Sequence, residues 1–245
     1  MPVSRGLFTG SAKRGIMERL FNGFELEIPR GAFPLSTDSM VLSYFARPPR
    51  GARILDLGAG CGTLGVLLCA GNPDCNVTGI ELCTEAHNAA LANIRRNGLA
   101  SRMESICGDL RQVPSLFSPG SFSFCVSNPP YFSGGPVSQA LPLARREDCC
   151  SLQALFDAAA WALKYGGDFC LVHRPERLGE IIAQGTRVHL EAKRLCLVRH
   201  RADRPVSLVL VQLRKGGKPG LGWEEITLQQ ENGEPTDVYR KIYHI

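Results

Sequence analysis

Asp56-Leu57-Gly58-Ala59-Gly60-Cys61-Gly62 and Asn128-Pro129-Pro130-Tyr131 are the two runs whose residue types and spacing could do chemistry. In the first, the glycines let the backbone pass close to a ligand and turn sharply into a helix. A dinucleotide would ask for a third glycine where Thr63 stands, and an aspartate two residues before Gly58 disfavours a phosphate. A carboxylate there suits a cationic ligand instead. The amino-acid end of S-adenosylmethionine, with its ammonium and sulfonium, has the matching charge. Glu81 ends the next strand, where a carboxylate can accept both hydroxyls of a ribose, and Asp109 closes the third, within reach of an adenine amine of the cofactor. In the second run, Asn128 offers a side-chain carbonyl and Pro129 a backbone one. Two such acceptors on the hydrogens of a planar exocyclic amine favour a pyramidal nitrogen, whose lone pair is then freed to attack a methyl group. The consecutive prolines pin the loop, and Tyr131 can stack on a target base, a contact worth about 1–3 kcal/mol.

The elements that must position these runs alternate. Phe24 to Ile28 reads as a half-buried strand, and Ser36-Thr37-Asp38 as a helix start. Short apolar strands follow at Arg53–Leu57, Asn76–Ile80, Met103–Ile106, Ser121–Ser127 and Phe169–Val172. The helices between them run from Thr63 to Ala70, from Thr84 to about Asn97, and from Ser151 to Gly166-Gly167; another starts at Pro175. Leu195–Val198 and Val206–Leu213 are too close in sequence for a helical crossover, so they should pair antiparallel. The expected fold is therefore α/β and Rossmann-like: seven strands, mostly parallel, helices on both faces, and an antiparallel last pair. Ile226 to Gln230 is a further strand candidate, with a turn at Asn232-Gly233. The expected division is 1–48, an N-terminal extension with a short strand and helix; 49–214, the catalytic core; and 215–245, a C-terminal extension.

Composition bounds the rest. The chain has 245 residues, 21% charged and 44% hydrophobic, as in ordinary globular proteins. There is no apolar run long enough to span a bilayer and no signal-peptide pattern at Met1 to Arg19, so a cytoplasmic protein without membrane contact is expected. The ten cysteines include no C-x-x-C pair, which argues against metal binding. The net charge is +5, and eleven basic residues against four acidic ones lie between Cys170 and Lys218. That imbalance suits a polyanion, or a solvated surface. His173 ends the fifth strand, where it could line the site or serve as a satisfied structural histidine. The Arg145-Arg146-Glu147-Asp148 run could gate substrate or be solvated charge.

The two chemical runs together resemble the class I methyltransferases acting on amines conjugated to a π system. More narrowly, the chain resembles the bacterial valine-tRNA adenine N(6)-methyltransferases. The likeness extends through Thr37-Asp38-Ser39-Met40-Val41-Leu42, Ser127 to Phe132, Val172 to Leu178 and Arg214 to Leu221. It implies methyl transfer from S-adenosylmethionine to the exocyclic amine of an adenine in tRNA, beside the anticodon, with S-adenosylhomocysteine as product. It implies that Asn128, Pro129, Pro130 and Tyr131 hold the adenine. Cofactor contacts are expected from Thr37, Asp38, Asp56, Gly58, Gly60, Cys61, Gly62, Glu81, Leu82, Asp109, Leu110 and Asn128. Arg146 stands where relatives often have histidine in an Arg-His-Glu run. Two alternatives remain open: a glutamine methyltransferase acting on a release factor, and a non-catalytic RNA-binding module. The first would bring a larger helical N-terminal domain; the second sits badly with an intact Asn128.

Overall fold

The computed structural model describes residues 15–29, 35–130 and 151–245. Two small strands, β1 (Ile16–Arg19) and β2 (Glu25–Ile28), pair antiparallel ahead of the main sheet. Helix α1 (Thr37–Phe45) follows; Ser36 caps it, its hydroxyl accepting from the Ser39 amide, and Asp38 sits in the positive first turn.

The body alternates β3 (Arg53–Leu57), α2 (Thr63–Gly71), β4 (Asn76–Glu81), α3 (Thr84–Arg96), β5 (Met103–Cys107), the short α4 (Val113–Leu116) and β6 (Phe122–Ser127). After residue 150 come α5 (Leu152–Ala162), β7 (Leu163–His173), α6 (Leu178–Arg187), β8 (Leu190–Arg201), β9 (Val206–Lys215), β10 (Gly222–Gln229) and α7 (Asp237–Tyr243). Among the described residues the main sheet has eight strands in the order β10-β8-β9-β7-β6-β3-β4-β5. Every neighbouring pair is parallel except β7–β9 and β8–β9. Seven of these strands are those expected from the sequence. The eighth, β10, adds to the edge beside β8 and parallel to it.

The strands bury both faces, so their side chains alternate between two cores. Ile54, Phe124, Val126, Cys170 and Val172 face one, beneath α1, α2 and α3. Leu55, Leu57, Cys125, Phe169 and Leu171 face the other, beneath α5 and α6. Such a sheet needs helices on each side. The α5 helix stops at Ala162 rather than at Gly166-Gly167; those glycines belong to β7, within the irregularity where its register jumps from Leu163 opposite Phe122 to Asp168 opposite Phe124.

The β1–β2 hairpin is tied to the body by two asparagines one turn apart, Asn93 on α3 and Asn97 at its C-cap. Asn93 Oδ1 accepts from the Glu27 amide at 2.8 Å, and its Nδ2 donates to the Glu27 carbonyl at 3.0 Å and the Cys61 carbonyl at 2.9 Å. Asn97 does the same for Glu25, at 2.8 and 2.7 Å. The helix thus supplies β2 with the partners that a neighbouring strand would have supplied. Asn93 is fully buried, so removing its amide strands three backbone groups at once. Asn93→Ala is expected to lower stability by about 3 kcal/mol, read as a shift in the urea midpoint; a shift below a third of that would discount the tether.

Candidate active site

The chain runs outward from β3 through β4 to β5, then returns to the other side of β3 as β6 and β7. Strand order reverses between β3 and β6, and open α/β sheets bind ligands at the carboxyl ends of the strands at such a point. The register pairs Asp56 with Val126, and the Ser127 hydroxyl donates to the Leu57 carbonyl at 2.7 Å. Gly58 and Asn128 are the next residues of these paired strands, so the two chemical runs emerge side by side.

The glycine turn is laid across the end of β4: the Gly58 and Ala59 amides donate to the Ile80 carbonyl at 3.0 and 3.1 Å. Gly58 and Gly60 adopt φ of 78° and 56°, and a Cβ on either would project into open space. That space is a cradle where a ligand can lie against bare backbone. Beside it, the Glu81 carboxylate accepts from the Gly60 amide and the Cys83 amide, each at 2.8 Å. Two amides fix its position, and it stays half-exposed, with lone pairs left for a ribose diol. Leu82, with 45% of its surface exposed, is an apolar platform next to it. Open space at the glycines, an oriented carboxylate and an exposed apolar side chain fit an adenosine-bearing cofactor.

Other expected residues sit differently. Asp56 is fully buried near the end of β3, two residues ahead of the glycine turn. Among the described residues no group meets full hydrogen-bond geometry with either carboxylate oxygen. Burial, then the charge of Glu81, push its pKa up to about 7, with a weaker opposing pull from the Gly65 amide. Cys61 is buried next to Thr63, and burial raises its thiol. Gly62 turns the chain into α2 with φ of 83°. Asp109 was expected as an acceptor for adenine. It caps the short helical turn Leu110–Gln112, and Arg111 grips both its oxygens, which holds the carboxyl below its ordinary range. Leu110 is buried behind it. Thr37 accepts from the Tyr243 hydroxyl at 3.2 Å, and burial raises that phenol, with the Asp38 charge acting in the same direction.

Asn128 is half-buried, and its Nδ2 donates to the Ser39 hydroxyl at 3.1 Å. Pro129 is buried and Pro130 half-buried. Tyr131, the Ser133-Gly134-Gly135-Pro136 stretch and the Arg145-Arg146-Glu147 run lie outside the described residues. His173 ends β7, beside β6, with 3% of its surface exposed; its Nδ1 accepts from the Arg174 amide at 2.8 Å. Burial, then the Arg177 charge, lower its pKa to about 4, so the ring is neutral. Sequence reasoning passed over Ser39, Asn93 and Asn97. A signal existed for Asn93, a poor helix former inside a helix, whereas Asn97 reads as an ordinary C-cap.

The basic stretch is largely spoken for. Arg187, Arg194, Arg199, Arg201 and Arg214 each face an acid, and Lys215 donates to the Ala160 and Leu163 carbonyls at the end of α5.

Asp56 and His173 give opposite pH dependences. Asp56 keeps its proton to about pH 7 when folded but loses it near 3.8 when unfolded, so its stabilising contribution drains away as pH rises across that interval. His173 stays neutral down to about pH 4 when folded but charges below 6.5 when unfolded, so its contribution drains away as pH falls. The two slopes oppose each other between about 4 and 6.5. Asp56→Asn removes one of them. Its unfolding free energy is expected to rise with pH across that window relative to the unsubstituted protein, by up to about 1.4 kcal/mol per pH unit. Parallel profiles in urea titrations would mean that Asp56 carries no proton.

Residues 36–183 match the family model described as methyltransferase small domain. A tRNA1(Val) (adenine(37)-N6)-methyltransferase of Shewanella putrefaciens is 30% identical over 87% of this chain and 92% of its own length. One from Tolumonas auensis is 32% identical over 84% of this chain and 85% of its own. Among solved structures, a predicted O-methyltransferase from Agrobacterium tumefaciens superposes with a TM-score of 0.72 at 22% identity, covering 85% of this chain and 96% of that one. The 16S rRNA N2 G1207 methyltransferase of T. thermophilus, solved with AdoMet and guanosine, gives 0.59 at 22% identity over 82% of this chain and 50% of that one. The chain belongs to the methyltransferase small domain family, in company with the tRNA1(Val) (adenine(37)-N6)-methyltransferases.

Proposed function

We propose that this protein transfers the methyl group of S-adenosylmethionine to the N6 amine of an adenine in tRNA, with valine tRNA beside the anticodon as the target. The observation that carries the proposal is the emergence of Asn128 next to Gly58 and Glu81 at the sheet's switch point. The names of the relatives support the choice of substrate.

The cofactor supplies an electrophilic methyl group on a sulfonium. The chain's own residues do the rest. Gly58 and Gly60 leave bare backbone for the ligand to lie on, and Glu81, held by two amides, accepts its ribose hydroxyls. The Asn128 carboxamide oxygen and the Pro129 carbonyl accept the two hydrogens of the target amine, which turns its lone pair out of conjugation and toward the methyl group. Pro129 and Pro130 keep these acceptors from swinging away. Holding the two reactants in line supplies much of the acceleration. The resulting ammonium is acidic enough to release its proton to a carbonyl or to water, so no dedicated base is required. An adenine reaching this loop must leave its stack.

Asn128→Ala is expected to cut the methylation rate of unmodified valine tRNA at least about a hundredfold, with cofactor affinity by calorimetry nearly unchanged. Gly60→Ala is expected to do the reverse, losing cofactor affinity, because φ of 56° strains any side chain there. Methylation of a release-factor peptide with none on tRNA would replace the adenine reading by the glutamine one. RNA binding with no cofactor affinity would mean an inert module. Because so many basic residues are paired internally, log affinity for tRNA against log salt should be shallower than the roughly −10 that eleven phosphate contacts would give.

A further inference from the structure

We infer that Ser39 is a positioning residue for the reaction: its hydroxyl anchors the Asn128 amide nitrogen and so aims the Asn128 carbonyl oxygen at the target amine. The inference rests on the proposed role of Asn128. It concerns a residue 89 positions upstream, on a helix outside the strand–loop units that carry the two chemical runs.

An asparagine side chain has nearly the same shape with its oxygen and nitrogen exchanged. Its two orientations are not equivalent for this chemistry. The target amine is a donor; an oxygen welcomes it, whereas a flipped carboxamide would set NH₂ against NH₂. Some neighbour has to hold the productive orientation before the substrate arrives, or binding energy is spent on ordering it. Ser39 Oγ lies 3.1 Å from Asn128 Nδ2. A serine on a helix can return its own proton to a carbonyl one turn back, which leaves the oxygen as an acceptor. An acceptor at that point binds the nitrogen and turns the carbonyl oxygen to the opposite side of the group.

The anchor is itself rigid. Ser39 has 6% of its surface exposed, and its amide donates to the Ser36 hydroxyl at the helix cap. Tyr243 of α7 bonds Thr37 at the start of α1. At the other end, Arg194 donates to the Phe45 carbonyl at 3.3 Å and lies 4.2 Å over the Phe45 ring. The helix is therefore pinned at both ends, and Ser39 is held at a fixed place relative to β6. Thr37 and Asp38 were expected as cofactor contacts; Ser39, the next residue on the helix, has this separate use.

The test compares the full-length protein with Ser39→Ala, and takes Ser43→Ala as a control, since Ser43 bonds only its own helix at the Met40 carbonyl among the described residues. With saturating cofactor and unmodified tRNA, Ser39→Ala is expected to lower kcat about five- to tenfold, the worth of one hydrogen bond. KM for tRNA and cofactor affinity should stay within about twofold. In ¹⁵N-labelled protein without substrate, the Asn128 carboxamide protons should exchange with solvent faster in Ser39→Ala than in the unsubstituted protein or in Ser43→Ala. Unchanged kcat, or a rise in KM that accounts for the whole loss, would overturn the inference. So would carboxamide exchange that is the same in all three proteins. If the unsubstituted protein were inert on tRNA, the substrate reading would fail while the carboxamide exchange would still decide for or against the anchor.

Discussion

Lateral pairing of β3 with β6 brings together two loops that the chain separates by 70 residues. Ser127, fully buried, seals that pairing with its hydroxyl on the Leu57 carbonyl. The bond lies one residue before each loop begins, and its low-dielectric surroundings make it costly to leave unmade. Strand registers are discrete. A slip of one residue would move Asn128 by about 3.3 Å and turn it to the opposite face of the sheet. The two cores resist such a slip, since Phe124 and Val126 would then exchange sides with Cys125. The placement of the reacting groups is thus a by-product of packing that extends across the molecule.

Around that junction the charges are arranged so that one acid is presented and another withdrawn. Glu81 is oriented by amides at the lip of the hollow, while burial holds Asp56 below it largely protonated up to about pH 7. A second ionised carboxylate so close would repel the first and weaken its alignment. Neutral His173 on the far side adds no charge of its own. Below about pH 7 the negative charge presented at the glycine turn is therefore mainly that of Glu81, which is favourable to a cation.

The order of strands and helices, the glycine turn and the Asn-Pro-Pro loop were legible because each is written in local terms. Periodicity, glycine at a sharp turn and proline in a loop need no knowledge of distant residues. What stayed hidden depends on partners. The β8 strand runs from Leu190 to Arg201, well beyond the apolar Leu195–Val198 stretch, because pairing with β9 on one side and β10 on the other sustains polar residues in an extended chain. Asp109 reads in sequence like Glu81, an acid after a strand, yet a neighbouring arginine two residues on claims it. Asn93 and Ser39 look like ordinary helix residues. Their meaning lies in a β2 backbone and a β6 loop that no window of sequence contains.

The last helix closes this frame from an unexpected direction. Tyr243 reaches Thr37, Tyr239 stacks on Tyr243, and His244 stacks on Phe21, so residues 237–244 clasp segments laid down near the beginning of the sequence. During synthesis the central strands emerge and can pair long before that clasp exists. The helix bearing Ser39 would then rest on its neighbours without its final brace. The pocket would then gain its brace only after residues 237–244 have been made and have folded back onto Thr37 and Phe21.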